Sequence, residues 1–286
     1  MNEIRKIKKI YKSQAVVEGA GVNLRRVFGF NEPELFDPFL LMDDFRSENP
    51  ADYMKGFPWH PHRGIETITY VLAGNVEHSD SLGNKGIIGQ GDVQWMTAGS
   101  GIIHQEMPEG DDKGRMDGFQ LWANLPSDNK MMDPRYREFS KNDIPEVKLD
   151  NGSIIRVIAG NVEGAAGPVK NVVIDPEFLD VSLQSDVEWR HPVKSGHTVF
   201  VYVIEGEGFF DAKKENSFCN GMLALFNDGD EIEAISKSGD FRFLLLSGKP
   251  LKETIAWNGP IVMNTRDELR TAFEEYNNGT FIKIGR

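Results

Sequence analysis

The chain has 286 residues, 40% of them hydrophobic, which is enough apolar material for two domains of ordinary size. A formal net charge of −12 argues against direct nucleic-acid binding, and the basic cluster from Arg5 to Lys12 is expected to be solvated. The single cysteine, Cys219, cannot form an intramolecular disulfide and indicates a reducing, cytoplasmic location. Neither a signal-peptide pattern nor a run of about 20 apolar residues is present, so no membrane association is predicted.

Short alternating or apolar segments, separated by Gly, Asn, Asp and Pro, follow one another along the chain. The segments that predict strands are Thr67–Leu72, Asp92–Met96, Phe119–Ala123, Ile154–Ile158, Thr198–Ile204, Leu223–Phe226 and Phe241–Leu246. One helix is predicted near the end, from about Thr265 to Asn277, with Thr265 or Asn264 as its N-cap. The pattern as a whole predicts an all-β sandwich or barrel.

The two halves of the chain share a pattern of strands and turn glycines. A strand ends at Gly74 in the first half and at Gly206 in the second, and the next turn glycine follows after 17 and 15 residues, respectively. This match favours a duplicated barrel over a chance similarity between glycine-rich β segments. We therefore predict two domains, residues 1–138 and residues 139–286, joined within a turn-rich stretch between residues 126 and 149.

Two short segments of the first half each carry a pair of potential metal ligands separated by one residue. His60 and His62 form the first pair, and His104 and Glu106 form the second. Residues i and i+2 of a strand point to the same face, so two neighbouring strands would offer four converging ligands. Pro61 cannot donate a ladder hydrogen bond, so its strand begins, bulges or lies at an edge there.

Three imidazoles and one carboxylate suit a first-row transition metal with coordination sites left for water, dioxygen or substrate. Iron(II) is our first choice, and nickel, copper, manganese and zinc stay open because the affinity order alone does not determine occupancy. An isolated His-x-His is more often structural than functional. The combination with a His-x-Glu after the second turn favours a metal site.

Counting from the turn glycines gives the corresponding positions of the second half, and none of these residues suits the same metal site: Pro192, Lys194, Ala234 and Ser236. The second barrel is therefore predicted to be metal-free. His191 and His197 lie near these positions but out of register, and together with His78 they are expected to be ordinary core or surface histidines.

Glu66 continues the alternation of His60 and His62, so an unbroken strand would aim its carboxylate into the barrel. A buried carboxylate needs a partner. We expect Glu66 to accept a hydrogen bond that fixes the tautomer of an imidazole, with a role as fifth ligand as the alternative. Gln94 and Gln120 are weaker candidates for such a supporting contact.

Several longer motifs together resemble the pirin family of bicupins. They are His60-Pro61-His62-Arg63-Gly64, Gln94-Trp95-Met96-Thr97-Ala98-Gly99, His104-Gln105-Glu106-Met107-Pro108, Gln120-Leu121-Trp122, Gly259-Pro260 and Met263-Asn264-Thr265, with Phe36-Asp37-Pro38-Phe39-Leu40 and Asp43-Asp44-Phe45 near the start. The resemblance covers nearly the whole chain and implies two tandem cupin barrels. It also implies iron on the four residues already singled out, and a C-terminal barrel without metal. Trp59 departs from the family pattern, which has a smaller or polar residue there.

The resemblance implies two classes of function. Some bacterial pirins are similar to quercetin 2,3-dioxygenases, which open a flavonol with dioxygen and release carbon monoxide, and here Glu106 would take the proton of the substrate hydroxyl. Eukaryotic pirins resemble transcriptional co-regulators, so the alternative is a non-enzymatic, iron-binding regulatory protein that acts through protein partners. A vestigial cupin with an incidental metal is the third reading, and four intact ligands argue against it.

Overall fold

Strands dominate the computed structural model, which describes residues 3–237 and 239–283. About 51% of the chain is in strands and 8% in helices, which confirms the predicted all-β class. Each predicted strand segment falls in an observed strand or extends beyond it by a single residue. Within the described residues, no helix combines the length and apolar character that crossing a membrane would require.

The strands of the first half of the chain are β1 (Ile7–Lys12), β2 (Gln14–Glu18), β3 (Val22–Phe28), β4 (Phe39–Asp44), β5 (Phe57–His62), β6 (Ile65–Ala73), β7 (Asn75–Asp80), β8 (Lys85–Ile88), β9 (Val93–Thr97), β10 (Ile102–Glu109), β11 (Asp117–Asn124) and β12 (Arg135–Phe139).

The strands of the second half are β13 (Glu146–Lys148), β14 (Ile154–Ala159), β15 (Asn161–Val162), β16 (Ala165–Ala166), β17 (Glu177–Leu183), β18 (Glu188–Pro192), β19 (Thr198–Glu205), β20 (Glu207–Phe209), β21 (Ser217–Cys219), β22 (Met222–Phe226), β23 (Glu231–Ser236), β24 (Phe241–Gly248), β25 (Ala256–Asn258) and β26 (Ile261–Met263).

The helices of the described residues are α1 (Pro33–Phe36), α2 (Pro50–Tyr53), α3 (Arg266–Asn277) and one 3-10 turn, Ser127–Asn129. The predicted C-terminal helix is confirmed as α3. Thr265 is its N-cap, and the Thr265 hydroxyl and Glu268 carboxylate form a capping box at its start. The one-turn helices α1 and α2, both with a proline in their first turn, were not predicted because four residues are too short to show helical periodicity.

The chain divides into two compact units, each built on a seven-stranded and a four-stranded sheet. One unit, the first barrel, contains Gln14–Lys141 and Leu251–Arg286; the other, the second barrel, contains Met1–Ser13 and Asn142–Pro250. By packing, therefore, residues 3–13 group with the second barrel and residues 251–283 with the first. The predicted division into residues 1–138 and residues 139–286 stays a prediction, and its outer ends, residues 1–2 and 284–286, lie outside the described residues.

Strand pairing explains why the N-terminal segment groups with the second barrel. Strand β1 pairs with β22 and forms the edge of the seven-stranded sheet of the second barrel, in the order β1-β22-β19-β24-β17-β14-β13. The first barrel has the corresponding order β12-β9-β6-β11-β4-β3-β2, so β12 occupies the edge position that β1 fills in the other unit. The four-stranded sheets are likewise β5-β10-β7-β8 and β18-β23-β20-β21. Matching strand orders support the predicted duplication.

The interiors of the two barrels differ. One continuous apolar cluster fills the second barrel, with residues from both of its sheets, such as Phe243 and Ile232. In the described part of the first barrel the apolar side chains instead form separate clusters, among them one around Tyr53, one around Met96 and one that includes Met263 and Phe281. Polar side chains, among them His62, Glu106 and Thr69 in its two sheets, are also buried in this barrel.

Candidate metal centre

Three histidine side chains of the first barrel converge. Strands β5 and β10 are antiparallel neighbours, and His104 lies directly opposite His60. The ring centroids of His60, His62 and His104 are between 4.4 and 5.0 Å apart. One potential ligand atom from each lies within 4.8 Å of the other two. Strand alternation and pairing thus bring together three of the four predicted ligands.

Backbone carbonyls fix the orientation of two of these imidazoles. Nδ1 of His60 lies 2.8 Å from the carbonyl oxygen of Pro58, and Nδ1 of His62 lies 3.1 Å from that of Pro260. A carbonyl oxygen only accepts, so each Nδ1 is the protonated, donating nitrogen and each Nε2 carries the lone pair. This is the arrangement in which a histidine ligand is oriented by its other ring nitrogen.

The two lone-pair nitrogens face each other at a separation that suits a shared cation. Nε2 of His60 and Nε2 of His62 are 3.1 Å apart. Two ligands at right angles on a metal, each about 2.1 Å from it, are themselves about 3.0 Å apart. The spacing of the imidazoles therefore fits a transition metal.

His104 is fully buried, and neither of its ring nitrogens has a hydrogen-bond partner among residues 3–237 and 239–283. Burial, followed by the neighbouring imidazoles, lowers the pKa of both His104 and His62 well below the ordinary value of 6.5. Both rings are therefore neutral near pH 7. A buried neutral imidazole without a partner is an unfavourable group in a core, and a metal is the partner that would satisfy it.

The structure places Glu106 beside the three imidazoles, held by other side chains. Its Oε2 is 4.0 Å from Nε2 of His104, which is too long for a hydrogen bond. Both carboxylate oxygens accept from the amide of Gln120, at 3.1 and 2.9 Å, and Oε1 also accepts from the Thr69 hydroxyl at 3.2 Å. The pairing of β10 with β5 shifts between His104 and Glu106, which displaces the carboxylate from a strict strand alternation. Its role as fourth ligand stays a prediction.

Glu66 lies elsewhere in the barrel. Its Oε1 accepts from the Thr97 hydroxyl at 2.6 Å and pairs with Arg137 at 3.3 Å, and no imidazole is among its hydrogen-bond partners in the described residues. The reason is local: β5 ends at His62, β6 begins at Ile65, and Gly64 between them has a φ of 78°. The alternation that would have aimed Glu66 at the histidines is therefore interrupted by a turn.

The segment after His62 is anchored by the C-terminal segment of the same unit. Arg63 donates to the carbonyls of Ser100 (2.7 Å) and Phe281 (2.8 Å) and pairs with Glu275 on α3 at 2.8 Å. A Cβ on Gly64 would lie 1.9 Å from the carbonyl oxygen of Val262, so only glycine fits there. These contacts hold the loop that brings the Pro260 carbonyl to His62. Nothing in the local sequence pattern could have predicted a contact across 198 residues.

A pocket of about 410 Å³ opens beside His60 and His62. Aromatic rings line much of it, from Phe30, Phe57 and Trp122, and the Trp122 ring meets the His62 ring edge-on at 5.0 Å. Phe57 and Pro58, which directly precede Trp59 on β5, also line the pocket. Trp59, which departs from the family pattern, is not among the lining residues and is half exposed.

A polar wall of the same pocket was not anticipated. Arg26 donates two hydrogen bonds to Asp43, at 2.9 and 2.8 Å, and one to Glu18 at 2.8 Å. Burial raises the pKa of Asp43 to about 6, although Arg26 opposes this shift. Arg26 and Asp43 come from the neighbouring strands β3 and β4, where they lie opposite each other. Lone charged residues on strands carry no sequence signal for such a pairing.

The positions of the second barrel that correspond to His104 and Glu106 are apolar. Val76 and Gly208 lie two residues after Gly74 and Gly206, and they pair with Pro108 and Ser236, respectively. Counting back from these partners makes Ile232 and Ala234 the counterparts of His104 and Glu106, so the turn-glycine count was two residues off. Both are buried in the apolar cluster of this barrel.

His191 lies opposite Ile232, as His60 lies opposite His104, so it is the counterpart of His60 and not out of register. Its Nε2 lies 2.9 Å from a Glu177 carboxylate oxygen, and its ring stacks on that of Trp189. Within the described residues the only group of three potential metal-ligating side chains is His60, His62 and His104. His191 is thus a core histidine with its own carboxylate partner.

Family comparisons agree with this architecture. The family model described as "Pirin" matches residues 21–123, and the model "Pirin C-terminal cupin domain" matches residues 178–282. A "Pirin-like protein" of Caulobacter vibrioides is 42% identical over 282 residues, which is 97% of this chain and 99% of that protein. The chain belongs to the pirin family. The two barrels are therefore the tandem cupin barrels that the sequence predicted.

Other similar pirins carry names that refer to an activity. A Pseudomonas aeruginosa protein named "Putative quercetin 2,3-dioxygenase" is 41% identical over 283 residues, covering 98% of this chain and 99% of its own. Among solved structures, a quercetin 2,3-dioxygenase from Acinetobacter baumannii superimposes with a TM-score of 0.89 at 33% identity, over 99% of this chain and 100% of that chain.

Proposed function

We propose that this pirin is a metal-dependent dioxygenase that opens a flavonol such as quercetin with dioxygen and releases carbon monoxide. The observation that carries the proposal is the convergence of three imidazoles, two of which (His60 and His62) line an aromatic-walled pocket of about 410 Å³. Pockets of a few hundred Å³ with mainly apolar walls and a few convergent polar groups suit one drug-sized molecule. The names of similar pirins support a flavonol as the substrate class.

The residues that would hold the metal are His60, His62 and His104, with Glu106 as the proposed fourth ligand. Iron(II) is our first choice, and nickel, copper, manganese and zinc are the alternatives, since imidazole suits several of these ions. When bound, the metal supplies Lewis acidity toward the oxygens of the substrate.

The protein's own groups would do the rest. Phe57 and Trp122 line the pocket and would flank a planar aromatic molecule, excluding water from the site. Glu106 would accept the proton of the substrate hydroxyl, since its carboxylate lies beside the imidazoles and the residue is only 3% exposed. Gln120 lines the pocket and donates to Glu106, so it would orient the carboxylate toward the substrate.

The test is the release of carbon monoxide from quercetin and dioxygen by protein reconstituted anaerobically with each candidate metal in turn. Activity should need one metal per chain and should fall by about 100-fold or more in Glu106→Ala, the range expected for loss of a general base. His191→Ala is the matched control, because His191 is a buried histidine of the second barrel and should leave activity unchanged.

Absence of carbon monoxide with one metal bound per chain, for every candidate metal, would contradict the flavonol proposal. It would favour the alternative, a non-enzymatic iron-binding regulatory protein that acts through protein partners. Equal losses in Glu106→Ala and His191→Ala would instead point to a general effect on folding.

A further inference from the structure

A chain of hydrogen bonds leads from the pocket wall to Glu106. The indole Nε1 of Trp122 donates to Oε1 of Gln120 at 3.1 Å, and Nε2 of Gln120 donates to Oε2 of Glu106 at 2.9 Å. The Thr69 hydroxyl donates to the other carboxylate oxygen, Oε1, at 3.2 Å. Trp122 and Gln120 line the pocket, whereas Thr69 and Glu106 are buried behind it.

The contacts join the two sheets of the first barrel. Gln120 and Trp122 are two residues apart on β11, so both side chains point to the same face, and Thr69 lies opposite Gln120 on the neighbouring β6. Glu106 comes from β10 in the four-stranded sheet. Two side chains of the seven-stranded sheet therefore donate hydrogen bonds to a carboxylate of the four-stranded sheet.

The amide of Gln120 can take only one orientation in this chain. Indole N–H is a donor only, so it must meet the amide oxygen, and an ionised carboxylate is an acceptor only, so it must meet the amide nitrogen. Reversing the amide would place two donors together at one end and two acceptors at the other. Trp122 thereby fixes the direction in which Gln120 presents its NH₂ group.

These hydrogen bonds also determine which oxygen of Glu106 is nearest to the imidazoles. Oε1 receives both Thr69 and Gln120, while Oε2, which receives Gln120 only, is the oxygen 4.0 Å from Nε2 of His104. Oε2 would have to move by about 1 Å to stand at the edge length of a metal polyhedron, about 3.0 Å from a neighbouring ligand. Oε1 could keep both of its donors during such a movement.

We propose that Gln120, oriented by Trp122, is a positioning residue that holds the carboxylate of Glu106 and so presents its Oε2 to the metal. This inference deepens the proposed function and depends on Glu106 being the fourth ligand. Partners of this kind, one contact removed from the metal, commonly change metal affinity by about 10- to 100-fold when they are lost.

The experiment measures the dissociation constant of cobalt(II), by competition with a chromophoric chelator, for the full chain and its variants. Gln120→Met keeps the shape of the side chain and removes its hydrogen bonds, so binding should weaken by about 10- to 100-fold. Trp122→Phe keeps an aromatic ring but frees the amide to rotate, which should weaken binding by about 3- to 10-fold. The visible spectrum of cobalt should change in the same order, since it reports the coordination of the ion.

The decisive comparison is a double-mutant cycle with Glu106→Gln. If Gln120 acts through the carboxylate, Gln120→Met should cause no further weakening in the Glu106→Gln background. Gln94→Met is the matched control, because Gln94 is a buried amide of the same barrel that donates to Glu138, and its variant should bind cobalt like the wild type.

Unchanged affinity in Gln120→Met, or an equal loss with and without the Glu106 carboxylate, would overturn the inference. If thermal unfolding shows that Gln120→Met is not folded, Trp122→Phe replaces it in the double-mutant cycle with Glu106→Gln. The outcome is separable from that of the proposed function. If the cycle shows the expected coupling between Gln120 and Glu106 but no carbon monoxide is released, the dioxygenase proposal is contradicted and the positioning role is kept. If carbon monoxide is released but the cycle shows no coupling, the dioxygenase proposal is kept and the positioning role is contradicted.

Discussion

The two barrels have the same strand order, but the second has an apolar interior and the first has buried polar side chains. In the second barrel, Ile232 and Ala234 lie in one continuous apolar cluster, and the histidine opposite Ile232 has a carboxylate partner of its own. In the first barrel, the corresponding strand carries His104 and Glu106, and His104 is buried without a hydrogen-bond partner among the described residues. The comparison indicates that a cupin strand frame is stable with either filling. The frame positions the side chains, and their chemistry decides whether a site exists.

The largest difference should appear in metal affinity. His104→Leu should weaken the binding of cobalt(II) by about 1,000-fold or more, equivalent to about 4 kcal/mol, because one of three converging imidazoles is lost. His191→Leu, at a buried histidine of the second barrel, should leave affinity unchanged. Isothermal titration of both variants measures the contrast, and similar losses in the two would break the distinction between the barrels.

The reverse exchange tests the interior of the second barrel. Ile232→His places a polar imidazole within the apolar cluster of the second barrel, so the free energy of unfolding should fall by about 3 kcal/mol. Ile232→Val, which only shortens the side chain, should cost about 1 kcal/mol. Urea denaturation compares them. A histidine tolerated as well as valine would show that the apolar filling is not what keeps this barrel free of a site.

The same reasoning predicts a gain of stability in the first barrel. His104→Leu replaces a buried polar ring that has no hydrogen-bond partner in the described residues, so the metal-free protein should become more stable by about 1–2 kcal/mol. The added metal should stabilise the wild type and not the variant. Thermal unfolding with and without metal gives both quantities, and a less stable metal-free variant would contradict the cost assigned to the buried imidazole of His104.

The last prediction concerns a polar contact behind the site. Lys130 donates to the carbonyl oxygens of Gly64 and Val262 and to Asn124, and burial lowers its pKa from 10.5 to about 7. Between pH 7 and about 10 the unfolded chain therefore binds more protons at this side chain than the folded chain does. The free energy of unfolding should rise with pH in this window, by at most about 1.4 kcal/mol per pH unit.

Lys130→Met should lose this rise, whereas Lys141→Met, at an exposed lysine, should keep it. Urea midpoints at pH 7, 8 and 9 measure the slopes. Parallel slopes in the wild type and Lys130→Met would mean that the three acceptors hold the ammonium form through this range.

Period-two reasoning found the three imidazoles because strand alternation is a local property. Side chains at i and i+2 share a face wherever the strand is regular, and His60 and His62 obey this rule. It failed at Glu66, where the turn at Gly64 resets the alternation between β5 and β6. It also could not give the position of the Glu106 carboxylate, because the shift in pairing after His104 and the hydrogen bond from Gln120 depend on neighbouring strands.

The amino-acid sequence alone determined the all-β class, the duplicated barrel, the C-terminal helix with its Thr265 cap and the histidines of the site. All of these depend on spacing within a segment or on motifs that the chain carries intact. Tertiary structure alone decided that Pro260 faces His62, that Gln120 and Thr69 hold Glu106, and that His191 is the counterpart of His60. Such contacts join residues of different strands, and sheet packing sets their distances, which no spacing along one segment encodes.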